Sequence, residues 1–137
     1  MGNVQSIDKI NYEHIQVELN NSRCILINTL PTYDQDCLIA KTVPVLQEED
    51  ILNHYLKNNT TVKVIIYGMN ACDETLLKKY NQLCKLGFSS ICVYPGGLFE
   101  WLLLQEIYGE ELFPTTTMCR DHLRYKGKSP EDLLLLR

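Results

Sequence analysis

Apolar residues fall into two alternating patterns along this chain: short continuous runs and helix-period stripes. Residues 24–30 (CILINTL), 61–68 (TVKVIIYG) and 89–97 (SSICVYPGG) are the runs, and they read as strands. The second is the strongest, because β-branched residues crowd it before Tyr67. Residues 38–45 (LIAKTVPV) read as a shorter extended piece, limited by Pro44. The stripes lie between. Residues 48–57 put Ile51, Leu52, Tyr55 and Leu56 on one helical face. Residues 73–87 predict an amphipathic helix with Leu76, Leu77, Tyr80, Leu83, Cys84 and Leu86 inward and Gly87 as its stop. Residues 98–109 predict a helix apolar on most sides, and so well buried. Residues 12–20 (YEHIQVELN) are ambiguous between strand and short helix; Glu and Gln content and the Asn-Asn-Ser that follows favour helix.

Strands that are apolar throughout and separated by helices imply a parallel sheet covered on both faces. Sites in such sheets lie beyond the carboxyl ends of the strands. The loop of Gly68, Met69, Asn70, Ala71, Cys72, Asp73 and Glu74 is in that position.

Size and charge narrow the classes. At 137 residues with 45% hydrophobic content, the chain makes one domain with one core. Thirteen basic against seventeen acidic residues give a net charge of −4 without a basic stripe, which argues against nucleic acid. The six cysteines show no CxxC or Cys/His metal spacing, and Cys24 and Cys92 sit inside apolar runs, where a thiol packs as a small hydrophobe. No secretory signal or membrane-length apolar run is read, so the expectation is a cytoplasmic protein with reduced thiols and no metal or cofactor. His14 and His54 fall in helices, and His122 in a basic stretch; none has a partner pattern for catalysis or metal binding.

Met1-Gly2-Asn3-Val4-Gln5-Ser6 fits the pattern for N-myristoylation at Gly2. One acyl chain with only Lys9 nearby gives weak, reversible membrane attachment. The motif would place the chain in a eukaryotic cell or a virus that grows in one.

The order of motifs resembles the rhodanese-like (sulfurtransferase) domain over about residues 10–114. The residues that carry the resemblance are Leu26-Ile27-Asn28-Thr29-Leu30, then Ala40, Val43 and Pro44, then Tyr67-Gly68, then Leu86-Gly87-Phe88, and last Gly96-Gly97-Leu98-Phe99-Glu100-Trp101. The half from Gly87-Phe88 to Gly96-Gly97-x-x-x-Trp101 is the specific part. The resemblance implies a three-layer α/β/α fold with a mostly parallel sheet of about five strands. It leaves residues 1–9 as an N-terminal segment and 115–137 as a C-terminal extension. Gly96 and Gly97 would permit positive φ where strand turns into helix, and Trp101 would fill the core.

By the resemblance, Gly68 stands where rhodaneses keep the cysteine that carries sulfur. Their loop aims backbone N–H groups at the thiolate, and the following helix adds its positive end. Glycine supplies no nucleophile. Cys72 is the substitute to weigh, yet Asp73 and Glu74 follow it and oppose both its ionisation and an anionic substrate. As structural residues, the two acids would cap the first turn of the next helix. A related phosphatase class needs Cys and Arg where this chain has Gly68 and Glu74. The strand-end Asp-x-Arg of the family is Asn28-Thr29-Leu30, without its arginine.

Two functions follow. One is a catalytically inactive domain that works as a binding or scaffold module, tethered through Gly2. The alternative is a thiosulfate-type sulfurtransferase or thiol-redox protein using Cys72. In the C-terminal extension, Ser129, Pro130 and Asp132 form a helix start, and Leu133, Leu134, Leu135 and Leu136 cannot all hide on one short helix face. They dock on the chain's own domain, on a second copy or on a protein partner.

Overall fold

The structure, a computed structural model, describes residues 7–21, 23–71, 74–118 and 125. The elements alternate: α1 (Tyr12–Glu18), β1 (Cys24–Asn28), a 3-10 turn (Thr32–Asp34), α2 (Val45–Asn58), β2 (Lys63–Tyr67), α3 (Thr75–Leu86), β3 (Ile91–Tyr94) and α4 (Gly97–Tyr108). The strands are parallel in the order β1-β2-β3, with Leu26 beside Ile65 and Ile65 beside Cys92.

Alternate strand residues feed two separate cores, which is why the runs show no polar alternation. Ile25, Ile27, Val64, Ile66, Ile91 and Val93 pack with Leu52 of α2 and Leu83 of α3. Leu26, Ile65, Tyr67, Cys92 and Tyr94 pack on the other face with Ile15 of α1 and Leu98, Trp101 and Leu102 of α4. The result is three layers. Both crossovers step the same way across the sheet, so a constant hand puts α2 and α3 together on one face.

The sheet has three strands among the described residues, against the five or so expected. Further segments flank it but meet it only through single parallel bridges, Lys9 to Val93 at one edge and Thr42 to Leu26 at the other. The run 38–45 is not a strand. Lys41 takes φ 67°, a left-handed turn, and Thr42 donates its N–H back to the Ile39 carbonyl at 3.1 Å. Ile39 pairs instead with Thr115, and residues 36–40 exchange hydrogen bonds with 114–117.

Residues 12–20 form a helix, as their polar content suggests. Asn11 caps it, accepting from Glu13 and His14 N–H groups at 2.9 and 3.3 Å, and His14 Nδ1 completes the box. In α3 only part of the expected apolar set turns inward. Leu83 is buried and Leu76, Tyr80 and Cys84 are partly so, whereas Leu77 and Leu86 are exposed. The stripe centres on Leu76, Leu83 and Tyr80, and at 100° per residue Leu77 and Leu86 fall on its opposite flanks. Gly87 does end the helix, at φ 116°. In α4, Leu98, Trp101, Leu102 and Gln105 are buried, but Leu103, Ile107 and Tyr108 face outward, so that helix is less enclosed than its composition suggests. No helix among the described residues is long and apolar enough to cross a membrane.

Candidate functional site

Three strands end side by side at Asn28, Tyr67 and Tyr94, and the loop leaves from the middle one. Gly68 is buried. Its carbonyl accepts the Leu98 N–H at 3.0 Å, and the Met69 carbonyl accepts the Phe99 N–H at 2.9 Å. The first free N–H groups of α4, which in many folds are left for an anion, are thus taken by the loop backbone. The approach depends on Gly97. It has φ +69°, and a Cβ there would lie 2.7 Å from the Gly68 carbonyl oxygen and 2.9 Å from the Asn70 nitrogen. Gly96 needs no such freedom, since its φ is −58°.

Asn70 is buried and its side-chain amide donates to the Tyr125 carbonyl at 2.7 Å. Tyr125 is itself fully buried among the residues packed between α4 and the sheet. No residue pattern announces this contact, because residues 55 apart meet through one backbone carbonyl. Met69 packs partly against the same core, and Ala71 is exposed. Cys72 and Asp73 lie outside the described residues, as do Gly2, Cys119, His122, Ser129, Pro130, Asp132 and Leu133 to Leu136.

The acids do not cap α3 as expected where they can be followed. The helix begins at Thr75, and Glu74, in the cap position, makes no capping hydrogen bond. Its backbone is already helical (φ −74°, ψ −17°), whereas a capping side chain needs an extended backbone to reach the next N–H groups. Thr75 instead pairs its hydroxyl with that of Thr29 at 2.8 Å, tying the start of α3 to the end of β1.

At the end of β1, Asn28 and Gln35 form a neutral amide pair. Gln35 donates to the Asn28 side-chain oxygen at 2.7 Å, Asn28 donates back at 3.1 Å, and the Leu30 N–H also donates to that oxygen at 3.0 Å. The sequence offered Asn28 as a departure from the family pattern but not Gln35 as its partner.

Tyr67 is wholly buried under the loop. Its hydroxyl accepts the Ile39 N–H at 3.2 Å and meets Thr42 Oγ1 at 2.7 Å; Thr42 spends its proton on the Ile39 carbonyl, so Tyr67 donates. Burial pushes its phenol far above the ordinary value, so it stays protonated. Tyr94 is likewise raised, first by burial and then by its 2.8 Å hydrogen bond to Glu100.

Two of the described thiols, Cys24 and Cys92, are poor nucleophiles. Cys24 opens β1, at the opposite end of the strand from the loop, and burial pushes it up to about 12. Burial also raises Cys92. The cavity beside Cys24, lined by Ile15, Glu18, Leu19, Lys41 and Ile65, holds about 30 Å³, room for about one water molecule. His14 serves the α1 cap, and His54 pairs with Asn58 at 3.2 Å.

No protein-family model matches this sequence, and no curated protein matches it either. Solved structures do. The rhodanese-like domain of the Alr3790 protein from Anabaena sp. is similar at 18% identity and TM-score 0.56, over 85% of this chain and 89% of that one. A single-domain sulfurtransferase, RDL2, from Saccharomyces cerevisiae is similar at 16% identity and TM-score 0.53, over 78% of this chain and 98% of that one. Thiosulfate sulfurtransferase from Pseudomonas aeruginosa is similar at 16% and 0.55, over 72% of this chain but 19% of that longer one. The fold is rhodanese-like.

Proposed function

We propose that this chain is a rhodanese-like domain that binds a partner and transfers no sulfur. One observation carries the reading: the residue that follows the central strand is the buried glycine Gly68, with its carbonyl committed to α4. The resemblance aligns this residue with the sulfur-carrying cysteine of rhodaneses. Of the described side chains at the end of β1 and the start of α3, Asn28, Gln35, Thr29 and Thr75 are neutral amides and hydroxyls and Glu74 is acidic, where an anionic donor such as thiosulfate would need positive charge. Attachment to membranes is weak and reversible, through a myristoyl group on Gly2.

The test is sulfur transfer from thiosulfate to cyanide. The wild type should show none above background, and Cys72→Ser should change nothing. Gly68→Cys should bring partial activity if the loop backbone keeps the family's cradle. Wild-type activity that disappears in Cys72→Ser would overturn the reading in favour of a relocated nucleophile. Mass spectrometry of protein made in eukaryotic cells should show a myristoyl mass on Gly2; a free or acetylated glycine would remove the tether and leave the binding role standing.

A further inference from the structure

The fold gathers cations that the sequence scatters. Four residues separate α2 from β2, and four separate α3 from β3. The last turns of both helices therefore lie at the amino ends of the strands. There the Ser89 N–H donates to the Thr60 carbonyl at 3.3 Å, joining the loops that follow the two helices. Lys57 and Lys85 sit in those last turns. Arg23 directly precedes β1, whose first residue lies beside Lys63 of β2. Arg23, Lys57 and Lys85 are exposed and form no ion pair among the described residues, whereas Lys63 is held by Glu18. Leu86, 46% exposed, lies next to Lys85. The other end of the same layer is acidic: Glu49 and Asp50 lie in the first turns of α2, and Glu74 precedes α3, all exposed. Glu106, Glu110 and Glu111 belong to the end of α4, which packs on the opposite face of the sheet.

The first described residues of the chain enter at this same end. Lys9 forms a parallel bridge with Val93; the Ile10 N–H donates to the Val93 carbonyl at 2.8 Å, and the Val93 N–H donates to the Asp8 carbonyl at 2.9 Å. A parallel segment runs in the direction of its strand, so this one comes from the amino end of the sheet. Ile7 packs in the same core as Tyr80 and Cys84 of α3, which puts its entry on the side of α2 and α3.

We infer that this basic end docks on an anionic membrane surface, with Arg23, Lys57 and Lys85 against the lipid headgroups, and so turns the loop that follows β2 away from the bilayer. The inference rests on the acyl group proposed for Gly2, which selects a membrane as the occupant. The five steps from Gly2 to Ile7 reach up to about 18 Å, so that group is delivered beside the cations. One acyl chain holds weakly, and a basic surface is the second signal that strengthens it. The opposite orientation would press Glu49, Asp50 and Glu74 against like charge. Docked by its basic end, the domain keeps its candidate site open to a partner.

The test is vesicle binding by the full chain, myristoylated at Gly2 by semisynthesis. Vesicles of phosphatidylcholine with phosphatidylserine should bind it about tenfold tighter or more than phosphatidylcholine alone, and added salt should erase the difference. Arg23→Gln, Lys57→Gln and Lys85→Gln together should bring anionic binding down to the neutral level while circular dichroism stays unchanged. Equal binding of the parent to both vesicles, or of parent and triple variant to the anionic ones, would overturn the inference. Orientation is read with a fluorescent amino acid at Ser89 or at Ala71, both exposed, and a quencher carried by the lipid. Quenching should be strong at Ser89 and weak at Ala71; equal or reversed quenching would also overturn it. A free Gly2 in protein from eukaryotic cells defeats the tether, whereas loss of charge selectivity in the acylated chain defeats the docking, so the two failures are distinct.

Discussion

Gly97 and Gly87 both have positive φ, yet they should tolerate a methyl group very differently. Gly87, at φ 116°, has nothing within 4 Å of an added Cβ, so Gly87→Ala should cost about 1–2 kcal/mol of backbone strain alone. Gly97 adds a collision with the backbone of Gly68 and Asn70, which cannot swing aside as a side-chain tip can. Gly97→Ala should cost about 2–4 kcal/mol, strain plus overpacking. Urea denaturation of the two variants checks the order, and equal losses would mean the loop does not press on α4. Residue types alone announced the Gly-Gly pair, but not which glycine needs its freedom. That depends on the φ each adopts, which the contact between two distant backbones sets.

At the scale of elements, the strands were legible because each apolar run is buried on both sides, and the helices because their stripes persist for several turns. Three things were not legible, for separate reasons. The segment 38–45 has strand-like composition, but Lys41 turns it, and a left-handed lysine leaves no mark in the pattern. Leu77 and Leu86 look like core residues, yet the width of the covered stripe is decided by the sheet beneath α3. The amide pair of Asn28 and Gln35 spans a loop of unmarked composition. Trp101 was legible: it is wholly buried and its indole N–H donates to the Pro114 carbonyl at 3.0 Å. That carbonyl also accepts from the Ala40 N–H at 3.0 Å. Trp101→Phe therefore leaves no orphaned acceptor and should cost less than Trp101→Ala, at about 3–5 kcal/mol. Thermal unfolding distinguishes them; equal losses would make the hydrogen bond, rather than ring packing, the dominant contribution.

For the whole molecule, contacts between layers set both pH response and integrity. Lys63 of β2 and Glu18 of α1 pair at 3.0 Å. Burial raises the Glu18 carboxyl, but the Lys63 and Asn21 hydrogen bonds outweigh it and hold the group below its ordinary 4.5. The hydrogen bond to Glu18 raises Lys63 above its ordinary 10.5, against burial. Glu18's contribution is therefore present above pH 4.5 and lost as pH falls through its lower folded value. That of Lys63 is present below pH 10.5 and lost as pH rises through its higher folded value. The stability gap between wild type and Glu18→Gln should be open between those limits, at about 0.5 kcal/mol for a pair only partly shielded from solvent, and should close in acid. A gap that persists in acid would assign the loss to packing of the side chain.

The bond from Asn70 to Tyr125 joins the site loop to the most distant described part of the chain, and its loss should be felt at both ends. Both groups are buried, so Asn70→Ala strips the Tyr125 carbonyl of a donor at a cost of about 1–3 kcal/mol. The location of the damage is the sharper measure. If the amide holds the C-terminal segment down, protease sensitivity beyond Met118 should rise in Asn70→Ala at denaturant concentrations where the sheet is intact. Protection of Tyr67 and Leu98 amides from hydrogen exchange should fall much less, because the bond from Leu98 to Gly68 does not use the Asn70 side chain. If loop and segment instead lose protection together with the sheet, they form one cooperative unit, and the segment cannot leave the loop without unfolding the domain.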